Sequence, residues 1–295
     1  MGRGLTVSGW RYVHASVMGT GHHTTGQPCQ DAHAVRLIHT GHDEPLLLLV
    51  SSDGAGSARH SQLGSTLACE ETLRWLEMRL SSGESFLEEQ DGVTLVYNLR
   101  TLLQNLGEEQ GVTLRDLACT LNVAALLPER QWFLQVGDGL TVTQRPGEAP
   151  KAVFWPDNGE YANQTYFITD VPDEHVHTLT DAGPIERVAL LTDGLQPMAL
   201  SLRDRAPFTP FFEPMFRAVE ALEDNDGEAH ARLHAGLAAF LDSPSVNART
   251  SDDKTLILAS CRPPPRPEPP TQEETPVTPD DEPLLVTDSE PEPHP

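Results

Sequence analysis

The chain has 295 residues, 38% of them hydrophobic, and a formal net charge of -24. That length accommodates one large domain or two small ones, and the longest apolar run, Leu46 to Val50, is a strand's worth rather than a membrane span. An acidic surface repels phosphate backbones and anionic lipids, so a nucleic-acid or membrane-surface role is disfavoured.

Ser8 to Val17 reads as a strand, followed by a loop rich in Gly, His and Thr. Two further strands, 33–39 and 46–52, flank a turn that begins at Thr40 and ends at Pro45. Leu63, Leu67, Leu73, Leu76 and Leu80 recur at helical spacing and predict a helix from Ser61 to Leu80. A second helix is predicted from Gly92 to Leu106, then strands at 119–127, 131–137 and 140–144. Residues 150–185 read as irregular with short strands, and His175 and His177 as alternating strand positions rather than a zinc pair. Ala189 to Thr192 is predicted as a buried strand, 209–222 and 227–241 as helices, and Lys254 to Ser260 as the last strand. Short turns between most strands and helices in two pairs favour an α+β fold with antiparallel sheets and outer helices over alternating β-α units.

The composition changes at the end. From Arg262 to Pro295 there are nine acids against two arginines, and twelve of the 25 prolines. Such a segment buries too little apolar surface to offset its ordering entropy. The expected organisation is a globular domain over 1–261 and a disordered Pro-rich acidic tail over 262–295. Cys29, Cys69, Cys119 and Cys261 show no C-x-x-C spacing, which argues against zinc and disulfides. The N-terminus has no long apolar signal core, so a cytoplasmic protein is expected.

The informative pattern is four aspartates at strand tips. Asp53 and Asp193 each follow an apolar run and precede glycine, while Asp31 and Asp252 each stand just before one. A strand can carry a carboxylate at its tip without burying that charge along its length. Four such tips brought together would form a cage of hard oxygen ligands, suited to magnesium or manganese. Any single Asp-Gly is a common turn; the ordered set is the signal.

That set runs PCQDA, SDGAGS, VGDG, LTDG and SDDKT, and it resembles the metal-dependent protein phosphatases of type 2C (the PPM family) across roughly residues 8–260. The likeness extends to a bacterial branch through Gly19-Thr-Gly-His22, Gly26 to Ala32, and Gly159 to Phe167. The resemblance implies two antiparallel β-sheets packed as a sandwich, flanked by helices on both outer faces. It implies a serine/threonine protein phosphatase that hydrolyses phosphoesters with a metal-activated water, using two Mn2+ or Mg2+ ions and a possible weak third ion. Asp53 is expected to bridge the two metals, with the Gly54 carbonyl contributing, Asp193 and Asp252 completing the set and Asp31 close by. Asp138 matches the position associated with a third ion, and Thr120, Gln30 and Asp253 are expected as support.

Three departures from the family pattern stand out. Gly26 occupies the place of a phosphate-gripping arginine, and His22 or His23 is the candidate replacement. Ala55 replaces a histidine that some relatives carry, and Pro197 replaces an acid, which would weaken a third ion site. The expected partners are a phosphoserine or phosphothreonine protein substrate and a cognate serine/threonine kinase. The alternatives are a catalytically weak phosphoprotein-binding or scaffold module, and a phosphatase of a small phosphoester.

Overall fold

The apolar runs build two five-stranded antiparallel sheets that stack face to face. The computed structural model describes residues 9–39, 45–81, 86–157, 165–223 and 226–261. The predicted turn after Thr40, most of the segment from Gly159 to Thr165 and the whole acidic tail lie outside these residues.

The strands are β1 (Trp10–Val17), β2 (Ala32–His39), β3 (Pro45–Ser52), β4 (Leu121–Leu126), β5 (Arg130–Val136), β6 (Leu140–Gln144), β7 (Lys151–Ala152), β8 (His177–Ala182), β9 (Arg187–Leu191), β10 (Leu200–Ser201), β11 (Ala206–Pro207) and β12 (Lys254–Cys261). The helices are α1 (Thr20–Thr25), α2 (Ser61–Ser81), α3 (Glu89–Gln110), α4 (Gln196–Ala199), α5 (Thr209–Glu220), α6 (Gly227–Leu241) and α7 (Pro244–Asn247), with three short 3-10 turns. One sheet runs β1-β12-β9-β6-β7 and the other β2-β3-β4-β5-β8, while β10 and β11 form a small separate hairpin.

Three apolar layers hold the sandwich together. Between the sheets, Leu47, Leu49, Ala124 and Phe133 meet Val188, Leu190, Ile257 and Ala259. Leu48, Val50 and Trp132 face the other way, against Leu73, Leu76, Leu95 and Leu99 of α2 and α3. On the opposite outer face, Ala189, Leu256 and Leu258 pack against Phe212, Phe216, Leu237 and Leu241 of α5 and α6. β3 is therefore covered on both faces and all eight of its residues are buried, which is why its sequence is a continuous apolar run and not an alternating one.

The helices begin and end where local chemistry allows. Glu88 and Asp91 form a reciprocal capping box at the start of α3, and Gly111 ends it in the left-handed conformation. Asp226 accepts the Ala229 N–H at the start of α6. The Gly-His-Thr stretch read as a loop contains α1, a six-residue helix tied down by the Gly21 N–H, which donates to the Ser251 carbonyl at 2.8 Å. Among the described residues no helix is long and apolar enough to cross a membrane, and the four cysteines are unpaired.

His14 on β1 and His33 on β2 meet where the two sheets' edge strands approach, with a Nδ1 to Nε2 separation of 2.6 Å. His234 of α6 stacks edge-on against His14, and Ser16 bonds His33. Glu70, Arg74 and Arg36 line the same hollow. Burial first, then the neighbouring imidazoles, push both His14 and His33 down to about 4. The unfolded chain therefore binds protons that the folded state refuses. The stability present above pH 6.5 is lost as the pH falls toward 4, by about 2 kcal/mol in all once solvent screening is allowed for. Urea midpoints at pH 7 and pH 5 check this: the drop seen in wild type is expected to shrink in His33→Gln.

Candidate active site at one end of the sandwich

Sheet register places the aspartates together. Ala32 pairs with Ser52, so Asp31 before β2 and Asp53 after β3 emerge side by side. Leu256 pairs with Leu191, so Asp193 after β9 and Asp252 before β12 emerge side by side on the other sheet. Asp138 lies in the short connection between β5 and β6, where the chain crosses from one sheet to the other. All five reach the same end of the sandwich.

The glycines after Asp53 and Asp193 serve close approach, not left-handed turns, since neither has a positive φ. A Cβ on Gly54 would lie 2.8 Å from the Gln30 carbonyl oxygen, and a Cβ on Gly194 would lie 2.0 Å from the Asp253 carbonyl oxygen. Each Asp-Gly tip is thus pressed against the tip that carries its neighbouring aspartate. Two cross-links fix the arrangement. Thr120 both donates its N–H to the Asp53 carbonyl at 2.8 Å and accepts the Asp53 N–H on Oγ1 at 2.9 Å. Thr192, on the other sheet, donates its hydroxyl to Asp31 Oδ2 at 2.7 Å.

These tips surround a cavity of about 180 Å³ whose wall includes Asp53, Gly54, Asp138, Asp193 and Asp252, together with Gln30, Thr120 and His22. Asp31 is buried and does not belong to the lining. Burial first, then the Asp31 and Asp193 carboxylates, push the Asp53 carboxyl well above the usual carboxylate range. Burial, with Asp138 and Asp252 nearby, raises Asp193 to about 6. Burial, reinforced by Asp253 and Asp193, raises Asp31 to about 8 against the hydrogen bond from Thr192. Asp138 is raised by burial despite the Thr165 hydroxyl, which donates to its Oδ2 at 2.7 Å. Buried like charges at this density are unfavourable unless a cation offsets them. Asp31 Oδ1 and Asp193 Oδ1 are buried without a hydrogen-bond partner. An all-oxygen donor set with unsatisfied carboxylate oxygens fits hard divalent cations.

The supporting residues behave as follows. Asp253 is buried and accepts the Gly19 and Gln30 N–H groups, both at 2.6 Å, and its Oδ1 lies 3.1 Å from His22 Nδ1. One carboxylate therefore pins α1, the strand tip bearing Asp31 and the cavity-lining histidine. The Gln30 carbonyl accepts from Gly54 N–H at 3.2 Å and Ser65 Oγ at 2.5 Å, so its backbone also anchors the site. His22 lines the cavity, whereas His23 is exposed and outside the lining. Gly26 caps α1 with φ 69°, a conformation that arginine would adopt only with strain. Thr165, Thr192 and Gln196, whose amide donates to the Asp138 carbonyl at 2.5 Å, carry no signal in the sequence that marks them as site residues. Ordinary polar residues become identifiable only through the carboxylates they touch.

Comparison with known proteins agrees with this fold. The sequence matches the family described as Protein phosphatase 2C over residues 18–242. It is 36% identical over 251 residues to serine/threonine-protein phosphatase 3 of Escherichia coli (strain K12), covering 85% of this chain and 98% of that protein. The fold is similar to that of the serine/threonine phosphatase Stp1 from Staphylococcus aureus, with a TM-score of 0.53 at 15% identity, covering 89% of this chain and all of that one. It is similar as well to the catalytic domain of the serine/threonine protein phosphatase PstP in complex with two manganese ions, with a TM-score of 0.54 at 18% identity, covering 85% of this chain and 97% of that one. With two antiparallel sheets, helices on both outer faces and this match over most of its length, the chain belongs to the protein phosphatase 2C family.

Proposed function

We propose that this protein is a metal-dependent serine/threonine protein phosphatase that holds two Mn2+ or Mg2+ ions among Asp53, Asp193, Asp252 and the Gly54 carbonyl, with Asp31 supporting them from behind. The observation that carries the assignment is the cavity lined by three strand-tip carboxylates from both sheets, with unsatisfied carboxylate oxygens on Asp31 and Asp193. When bound, the two cations supply Lewis acidity, lowering the pKa of water and offsetting charge on the phosphoryl oxygens.

The chain's own residues do the rest. Asp53 is held rigid by its two-way link to Thr120, so its carboxylate is preorganised between the sheets. His22, fixed by Asp253, takes the phosphate-orienting role that Gly26 cannot fill. Ala55 brings no acid–base group to the cavity wall. Asp138 would help hold a third ion, but its carboxylate already accepts from Thr165, and Pro197 adds no acid, so such an ion would be held weakly.

The substrate is a phosphoserine or phosphothreonine protein, phosphorylated by a serine/threonine kinase in the cytoplasm. The catalytic domain spans 1–261, and the acidic Pro-rich stretch 262–295 is an appended tail. Phosphate release from p-nitrophenyl phosphate and from a phosphothreonine peptide, with manganese and then with EDTA, tests the reading. Manganese-dependent turnover of both, abolished by EDTA, is expected. Absence of metal-dependent release from either substrate would leave a phosphoprotein-binding module, and release from the ester alone would point to a small phosphoester.

A further inference from the structure

Outside the aspartate cavity, the described residues contain a second converging set of ligand atoms. His175 closes a 3-10 turn, His177 opens β8, and Asp157 follows β7. Residues two apart on a strand share a face. Here the turn ends at Val176, with φ -89° and ψ 92°, and both imidazoles reach the same carboxylate oxygen. Asp157 Oδ2 is 2.9 Å from His175 Nδ1 and 2.7 Å from His177 Nε2, and one ligand atom from each residue lies within 4.8 Å of the others.

The three side chains are held in place. The Asp157 N–H donates to the Gly137 carbonyl at 3.3 Å. Tyr166 stacks on His175 with ring centroids 3.9 Å apart, and Phe154 packs beside His177. Both histidine side chains are about a third exposed, at 32% and 33%, so an ion can enter from solvent. Burial pushes the Asp157 carboxyl up, but hydrogen bonds from His177 and His175 outweigh it and leave it below the ordinary carboxylate range.

We propose that Asp157, His175 and His177 form a zinc site, separate from the aspartate cluster. Two imidazole nitrogens and one carboxylate oxygen are the donor mixture that favours Zn2+ over Mg2+ or Ca2+, with a fourth position open to water. A tetrahedral ion with bonds of about 2.0–2.1 Å places its ligand atoms about 3.3 Å apart. Each nitrogen has to retreat from Asp157 Oδ2 by about half an ångström, and the two nitrogens, within 4.8 Å of each other, have to settle at the same spacing. The two sites thus sort metals by donor type: hard cations on oxygen, zinc on imidazole. The zinc ties Asp157, bonded to Gly137, to the histidine against which Tyr166 stacks, and so braces two residues adjacent to Asp138 and its partner Thr165.

The test uses the full-length protein, dialysed against limiting Zn2+ in a large excess of Mg2+, with bound zinc counted by elemental analysis. Wild type and Asp53→Asn are both expected to keep one equivalent of zinc per chain. The double variant His175→Gln/His177→Gln is expected to lose it, along with the zinc-dependent rise in Tm. Wild type that holds no zinc against Mg2+ would overturn the site, as would undiminished zinc in the double variant, which would place the ion on the aspartates or on His14, His33 and His234. Should the double variant fail to fold, anomalous diffraction at the zinc edge from wild-type crystals decides. A peak among the three side chains supports the site, and no peak there refutes it.

Discussion

Asp53→Asn is expected to lower manganese-dependent phosphate release by at least about a thousandfold and, in the same protein stripped with EDTA, to raise Tm. The two effects have one cause. Asp53 stands among carboxylates that burial and mutual repulsion keep protonated above their ordinary range. Without metal, the folded state binds these protons more tightly than the unfolded chain does. The stability they contribute is complete below about pH 4 and is lost as the pH rises through about 6 for Asp193 and about 8 for Asp31. The asparagine variant carries one acidic group fewer, so its metal-free Tm falls less steeply with pH. Manganese is expected to reverse the ranking, because an ion that binds only the native state stabilises it by mass action, and on the proposed metal set the variant lacks a ligand. Scanning calorimetry of both proteins at pH 5.5 and 8, with and without manganese, checks all four corners. A metal-free variant less stable than wild type at pH 8 would mean that Asp53 is not in a repulsive cluster.

Asp253→Ala is expected to cost about 3 kcal/mol of stability, since it strands the Gly19 and Gln30 N–H groups in a buried place. Asp253→Asn keeps one acceptor oxygen of the two and should fall between wild type and alanine. The functional consequence separates bracing from contact. In Asp253→Asn that still folds, His22 loses its fixed orientation, so KM for the phosphopeptide is expected to rise severalfold, and His22→Gln should match it. Urea denaturation measures the first effect and steady-state kinetics the second. An unchanged KM in His22→Gln would remove that histidine from phosphate binding.

Much of this was readable from local patterns. The helix α2 announces itself by leucine periodicity, and β3 by an apolar run too short for anything but a covered strand. The order of the aspartates carried the family resemblance, and that resemblance implied the sandwich and the expectation of divalent cations. Other features had no local signature. α1 is poor in helix formers and exists because the Ser251 carbonyl receives its first turn. The glycines of the two Asp-Gly pairs look like turn residues, yet their role is to let two strand tips touch without a Cβ between them. His175 and His177 read as alternating positions because nothing nearby in the chain indicates that a 3-10 turn ends between them.

By itself the sequence determined which segments bury and which carboxylates end them, because burial and charge at a strand's tip are properties of a few consecutive residues. Only the tertiary structure decided which side chains share a space. Asp31 meets Thr192 across 161 positions, and the Asp253 carboxylate meets the Gln30 backbone N–H across 223. Such neighbours are set by sheet register and by the stacking of one sheet on another, not by any pattern within a strand.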